Sequence, residues 1–81
     1  MTNREKYDQA FVSGLGIDAA LLGEELEYNS VEEWDSIGHM NLIGELEDVF
    51  VIAMDMDDII DFGSYIKGME ILTKYDVDIS I

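Results

Sequence analysis

The sequence predicts an all-α fold, a small bundle of three main helices and one short helix. Three observations carry that expectation. Apolar residues recur at spacings of three and four in separate stretches, which lines one face of a helix. The most strand-like run, residues 49–54, has no partner run with turn chemistry, and a lone strand is not stable. The 81 residues contain no proline, no repeat and no linker-like stretch, and a chain this short has room for one core, so residues 1–81 form one expected domain.

The first helix is expected over residues 3 to about 14, with Tyr7, Ala10, Phe11 and Leu15 on one face and Gly14 and Gly16 as its stop. From 17 to 35 the pattern is poor. A structureless connection of that length is unusual in a compact domain, so a helical turn is expected within 18–26, with Leu21, Leu22 and Leu26 packed. Ser30 and Glu33 have capping-box spacing, but the next start signal, Asp35 and Ser36, follows almost at once.

The second main helix runs from 36 to about 51. On a helical wheel Leu42, Leu46, Val49 and Phe50 gather on a core arc, with Ile43 and His39 at its edge or within it. Ser36, Ile37, Met40, Gly44, Glu47 and Asp48 fall on a different arc. Two apolar side chains turned from the core, beside acids and a serine, mark a docking strip. Residues 55–61 make a short acidic helix. Gly63 and Ser64 break the chain, Ser64 capping a last helix that runs to about 75. That helix is expected to bury Tyr65, Ile66, Met69 and Leu72 and to turn Lys67, Glu70 and Lys74 outward. The expected core is Phe11, Leu15, Leu42, Leu46, Phe50, Tyr65, Met69 and Leu72.

Charge narrows the function. Nineteen Asp and Glu against four Lys and Arg give a formal net charge of -15, and residues 7 to 66 hold fifteen acids and no Lys or Arg. Such a field argues against nucleic acid and anionic membrane surfaces, which need cationic side chains, and favours basic protein partners. No run approaches the length of a membrane span, and no basic segment followed by an apolar one opens the chain, so a cytoplasmic location and a monomer are expected. With no cysteine, any thiol chemistry must be imported.

Catalytic motifs fail one by one. A Ser36 nucleophile needs a base, and His39, the only histidine, lies about 60° round the helix towards the core, with no nucleophile elbow or Gly-rich oxyanion loop nearby. The stretch from Asp55 starts like an EF-hand loop but offers Ile59, Ile60 and Ile66 where an oxygen ligand, Gly and Glu are required. Zinc-type ligand sets and phosphate-binding loops are missing, so no metal site and no enzymatic activity are expected. Ser36 remains as an acceptor. At a helix start an Asp-Ser pair taken alone reads as a cap; the serine is also placed where it could carry a phosphodiester, because unpaired N–H groups and the helix dipole favour phosphate there.

Asp35-Ser36-Ile37 opening an amphipathic helix that ends in Glu45-Leu46-Glu47-Asp48-Val49-Phe50, in an acidic chain of this length, resembles the acyl carrier protein family. The likeness extends over nearly the whole chain and implies a small acyl-carrier-like four-helix bundle. It implies 4'-phosphopantetheine on Ser36, transferred from coenzyme A by a phosphopantetheinyl transferase with Asp35 assisting, and acyl, aminoacyl or polyketide groups held as thioesters. It further implies that Ile37, Met40, Glu47 and Asp48 meet basic docking patches on loading and transferring enzymes. Ile37 stands for the family's usual Leu. Glu33 and Trp34 stand where fatty-acid carriers have small residues, and Gly38, Asn41 and Gly44 where they often have acidic or larger ones. The Trp-Asp-Ser form is similar to stand-alone carriers of specialised pathways. A reading from another class, an acidic helical adaptor without prosthetic group that binds a basic partner, accounts for the charge but makes no use of Ser36.

Overall fold

Thr2 opens α1 (Asn3–Leu15) with a closed capping box: its hydroxyl accepts from the Glu5 N–H at 3.1 Å, and the Glu5 carboxylate accepts from the Thr2 N–H at 2.9 Å. In the computed structural model, which describes residues 1–79, Gly16 closes α1 in the left-handed conformation, φ 69°. Gly14 has a different job from the expected stop. A Cβ there would lie 2.8 Å from the Leu42 Cα, so this glycine lets α1 and the helix that carries Leu42 touch backbone to backbone.

The long connection contains one 3-10 turn, Ala19–Leu21, capped by Asp18. It is also pinned by a single antiparallel bridge, in which the Tyr28 N–H donates to the Gly63 carbonyl and the Tyr65 N–H to the Leu26 carbonyl, both at 2.9 Å. No strand forms among the described residues. Leu26 is buried and Leu22 half-buried, but Leu21, expected to pack, sits at the tip of the turn, 48% exposed.

Helix α2 (Ser36–Phe50) begins on Asp35, whose carboxylate accepts the Gly38 N–H at 2.8 Å. It ends where Val51 turns left-handed, φ 54°, an exposed β-branched residue in a region that disfavours one. The strand-like propensity of 49–54 is thus spent on a helix end and an apolar loop, as the missing partner strand required. Helix α3 (Met56–Asp61) is a turn and a half. Helix α4 (Tyr65–Leu72) starts on the Ser64 hydroxyl, which accepts the Lys67 N–H at 2.9 Å, and continues as a 3-10 turn, Thr73–Tyr75.

The four helices form an all-α bundle around an aromatic centre of Tyr7, Phe11, Trp34, Phe62 and Tyr65, all fully buried. Phe11 meets Trp34 edge-on at 5.5 Å and Tyr65 at 5.2 Å between ring centroids. The Tyr7 hydroxyl donates to the Tyr65 carbonyl, and the Tyr65 hydroxyl donates to Asp8 and accepts from Arg4 Nε at 3.0 Å. Burial first, and then the hydrogen bond to Asp8, pushes the Tyr65 phenol up to about 12.

Six of the eight expected core residues are buried, but Phe50 and Met69 are only half-buried, packed against the core from outside. Ile66, also expected inside, is 42% exposed. The cause is Gly68. The Phe62 ring and the Tyr7 hydroxyl stand 2.2 to 2.6 Å from where its Cβ would be, so α4 turns its glycine to the core and buries Tyr65, Gly68, Ile71 and Leu72. Phe50, in turn, occupies the last helical position before the Val51 reversal.

Candidate functional site

The site is built at the N-terminus of α2. Asp35 is the cap proper and Ser36 the first helical residue, so the two residues share the start of the helix instead of competing for it. With the Gly38 N–H bound to the Asp35 carboxylate and the His39 N–H to the Asp35 carbonyl at 2.8 Å, the first-turn donors left at the helix mouth are those of Ser36 and Ile37. Gly38 makes this turn possible: a Cβ there would lie 2.0 Å from the Glu33 carbonyl oxygen. The glycine that departs from the fatty-acid pattern is therefore required by the approach of the preceding loop.

Ser36 is exposed, and its Oγ lies 3.1 Å from the Tyr28 hydroxyl. His39 is not its partner. Trp34 Nε1, which can only donate, gives its proton to His39 Nδ1 at 2.9 Å, so in the neutral ring Nε2 carries the hydrogen and donates to the Ile59 carbonyl at 2.7 Å. Both ring nitrogens are thereby committed, one to the loop before α2 and one to α3. This geometry leaves no base on Ser36 and turns the expected boundary histidine into a strut between elements.

Beside Ser36, between α2 and α3, runs a mostly apolar trough of about 430 Å³ lined by Tyr28, His39, Met40, Ile59, Ile60 and Phe62. Met40 and Ile60, which line it, are 57% and 72% exposed, and Ile37, the residue after Ser36, is 74% exposed. A second trough, of about 460 Å³, runs along the acidic side of α2 past Met40, Gly44, Glu47 and Asp48. Met40 lines both troughs.

The sequence-predicted residues thus fall into two groups. Asp35, Ser36, Ile37 and Met40 come together at the head of the helix. Glu47 and Asp48 lie two turns further on, and they differ: Asp48 is exposed, whereas Glu47 is half-buried and its carboxylate accepts the Met54 N–H at 2.9 Å, holding the loop after α2. Tyr28 had no part in the sequence reading, and Ile59 and Ile60 entered it only as residues that break a calcium-loop pattern, since none of the three lies on a periodic face. The one available signal for Tyr28 was an aromatic residue set among the acids of 24–33.

Among the described residues no group of three or more His, Cys, Asp or Glu side chains is placed to hold a metal ion, and no helix is long and apolar enough to cross a membrane. Comparison with known proteins finds no matching family model, no matching curated protein and no matching solved structure, so the functional reading rests on the sequence resemblance and on this site.

Proposed function

We propose that the chain is a carrier domain, with Ser36 the attachment point for 4'-phosphopantetheine and the head of α2 the docking surface for the enzymes that load and unload it. One observation carries the reading: an exposed serine hydroxyl at the first position of a 15-residue helix, ringed by exposed apolar side chains and opening onto an apolar trough.

The surroundings suit a phosphodiester on that hydroxyl. The Ser36 and Ile37 N–H groups and the positive end of the α2 dipole favour a negative group there, which offsets repulsion from nearby acids. Asp35 holds the turn that presents Ser36, and its capping bond uses Oδ1. Its assistance in the transfer therefore falls to its other carboxylate oxygen. Ile37 and Met40 supply apolar contact to a partner, and Asp48 supplies charge for basic side chains. The arm supplies a terminal thiol that holds acyl, aminoacyl or polyketide groups as thioesters, chemistry that a chain without cysteine lacks. With both His39 nitrogens engaged, the chain's own role is to hold and present, not to catalyse.

The test is incubation with coenzyme A, magnesium and a broad-specificity phosphopantetheinyl transferase, followed by intact mass. The expected result is a gain of one phosphopantetheine that disappears in Ser36→Ala. No gain, or a gain that survives the substitution, overturns the carrier reading and leaves the acidic adaptor in its place.

A further inference from the structure

We propose that Tyr28 is a positioning residue for Ser36: its phenol holds the serine hydroxyl before a phosphoryl group is attached and donates a hydrogen bond to that group afterwards. The proposal rests on the carrier reading and adds to it a residue outside the serine motif.

The 3.1 Å contact between the Tyr28 hydroxyl and Ser36 Oγ is set by a frame and not by a free side chain meeting another. The Tyr28 N–H is held by the Gly63 carbonyl at 2.9 Å. Asn29 adopts the left-handed conformation, φ 67°, and its N–H donates to the Trp34 carbonyl at 2.9 Å. The Ser30 hydroxyl accepts from the Glu27 N–H at 2.9 Å and donates to the Glu27 carbonyl at 2.7 Å, which closes the turn around Tyr28. The Tyr28 ring stands edge-on to His39, 5.6 Å between centroids at 88°, and His39 is itself fixed by Trp34 and Ile59. Four contacts therefore aim one phenol at one serine oxygen.

Before transfer, either hydroxyl can donate to the other, and the pairing restricts Oγ to one rotamer. In the transfer, Oγ forms a bond to phosphorus of the coenzyme A pyrophosphate. The bond from that phosphorus to the adenosine bisphosphate oxygen breaks, and the serine proton passes to a base in the transferase. Tyr28 takes no part in these bond changes. Afterwards Oγ has no proton, and the phenol is left as the donor, with non-bridging phosphate oxygens two bonds beyond the oxygen it already touches. A hydrogen bond to an anion is about twice as strong as a neutral one. Between residues 7 and 66 the chain has no Lys or Arg to perform that task, so an uncharged donor is what this stretch offers.

The experiment compares the wild-type chain with Tyr28→Phe, which keeps the ring and its contact with His39. In the unloaded proteins, the Ser36 Hα–Hβ couplings should report one rotamer in wild type and averaging in the variant. In the loaded proteins, the ³¹P resonance of the phosphodiester should differ between the two, with melting temperatures alike. The transferase kcat/KM should fall about fivefold, the equivalent of one ordinary hydrogen bond. Wild type that takes up no phosphopantetheine overturns the carrier reading and this proposal together. Wild type and variant that load equally, with the same couplings and the same ³¹P shift, overturn the Tyr28 role alone. Should Tyr28→Phe fail to fold, O-methyltyrosine at position 28 keeps the ring and its oxygen but removes the donor, and the same readings decide.

Discussion

Trp34 shows what a single residue does here that its sequence neighbourhood concealed. It lies in an aperiodic loop between Glu33 and Asp35, so no wheel places it, and its size counts in the sequence only towards the likeness to carriers of specialised pathways. In the fold it is fully buried, edge-on to Phe11 and stacked on His39 at 6.2 Å, and its N–H sets the histidine tautomer. The residue at this position is large because the bundle closes its centre with a loop side chain. Trp34→Ala should cost about 3–5 kcal/mol by leaving a cavity. Trp34→Phe should cost about 1–3 kcal/mol, chiefly by orphaning His39 Nδ1. Urea unfolding followed by circular dichroism gives both values; a cost near zero for the Phe variant would show that the Trp34–His39 bond contributes nothing. The residues that chemistry marks directly, Asp35 and Ser36, were legible because capping has a local code. Tyr28 and Trp34 were not, because their positions depend on Gly63 and Phe11, far along the chain, and on a His39 ring held between two elements.

At the scale of elements, starts and stops were read well and faces less well. Asp35 and Ser64 open their helices as read, and Gly16 ends α1; the Thr2 cap, with its capping box to Glu5, was not read from the sequence. The face of α4 was misplaced because the residue at its centre is a glycine, which contributes nothing to an apolar pattern yet packs most tightly. Helix α3 was foreseen as a short acidic helix, but six residues are too few to be stable alone. Its support comes from outside: His39 on the Ile59 carbonyl, and Lys74 and Tyr75 on Asp58. The helix glycines separate into two kinds by the same reasoning. Gly68→Ala drives a methyl into the Phe62 ring and should destabilise by about 1–3 kcal/mol. Gly44→Ala meets nothing within 4 Å and should stabilise by up to about 1 kcal/mol, the usual penalty for glycine inside a helix. Thermal melts of the two variants should move in opposite directions. A Gly44→Ala protein that is more stable yet loads more slowly would place a partner's close approach at the second trough.

For the whole molecule, a net charge of -15 on 81 residues sets repulsion against the bundle, while Asp58 supplies a short-range attraction within it. Asp58 is the one buried acid among the described residues, its carboxylate receiving Lys74 Nζ at 2.8 Å and the Tyr75 hydroxyl at 2.6 Å. These bonds, Lys74's first, hold its carboxyl below the usual carboxylate range. A depressed folded pKa means that the contribution to stability is complete above the unfolded value, about 3.9, and is lost as pH falls through the folded one. The two effects respond to different variables. Raising ionic strength from about 0.01 to 1 M shortens the screening length from about 30 to 3 Å. That should relieve the repulsion and raise the wild-type melting temperature, while leaving most of the Asp58 contact intact. Asp58→Asn should therefore be less stable than wild type at pH 7 in both low and high salt, with the gap closing below about pH 4 as Asp58 itself becomes neutral. Urea midpoints of the two proteins at pH 7, 4 and 3 measure that gap directly. A gap that stays constant into acid would assign the loss to packing of the amide, and one that vanishes in salt would assign it to long-range charge; only closure with pH locates it in the contact that ties α3 to the end of α4.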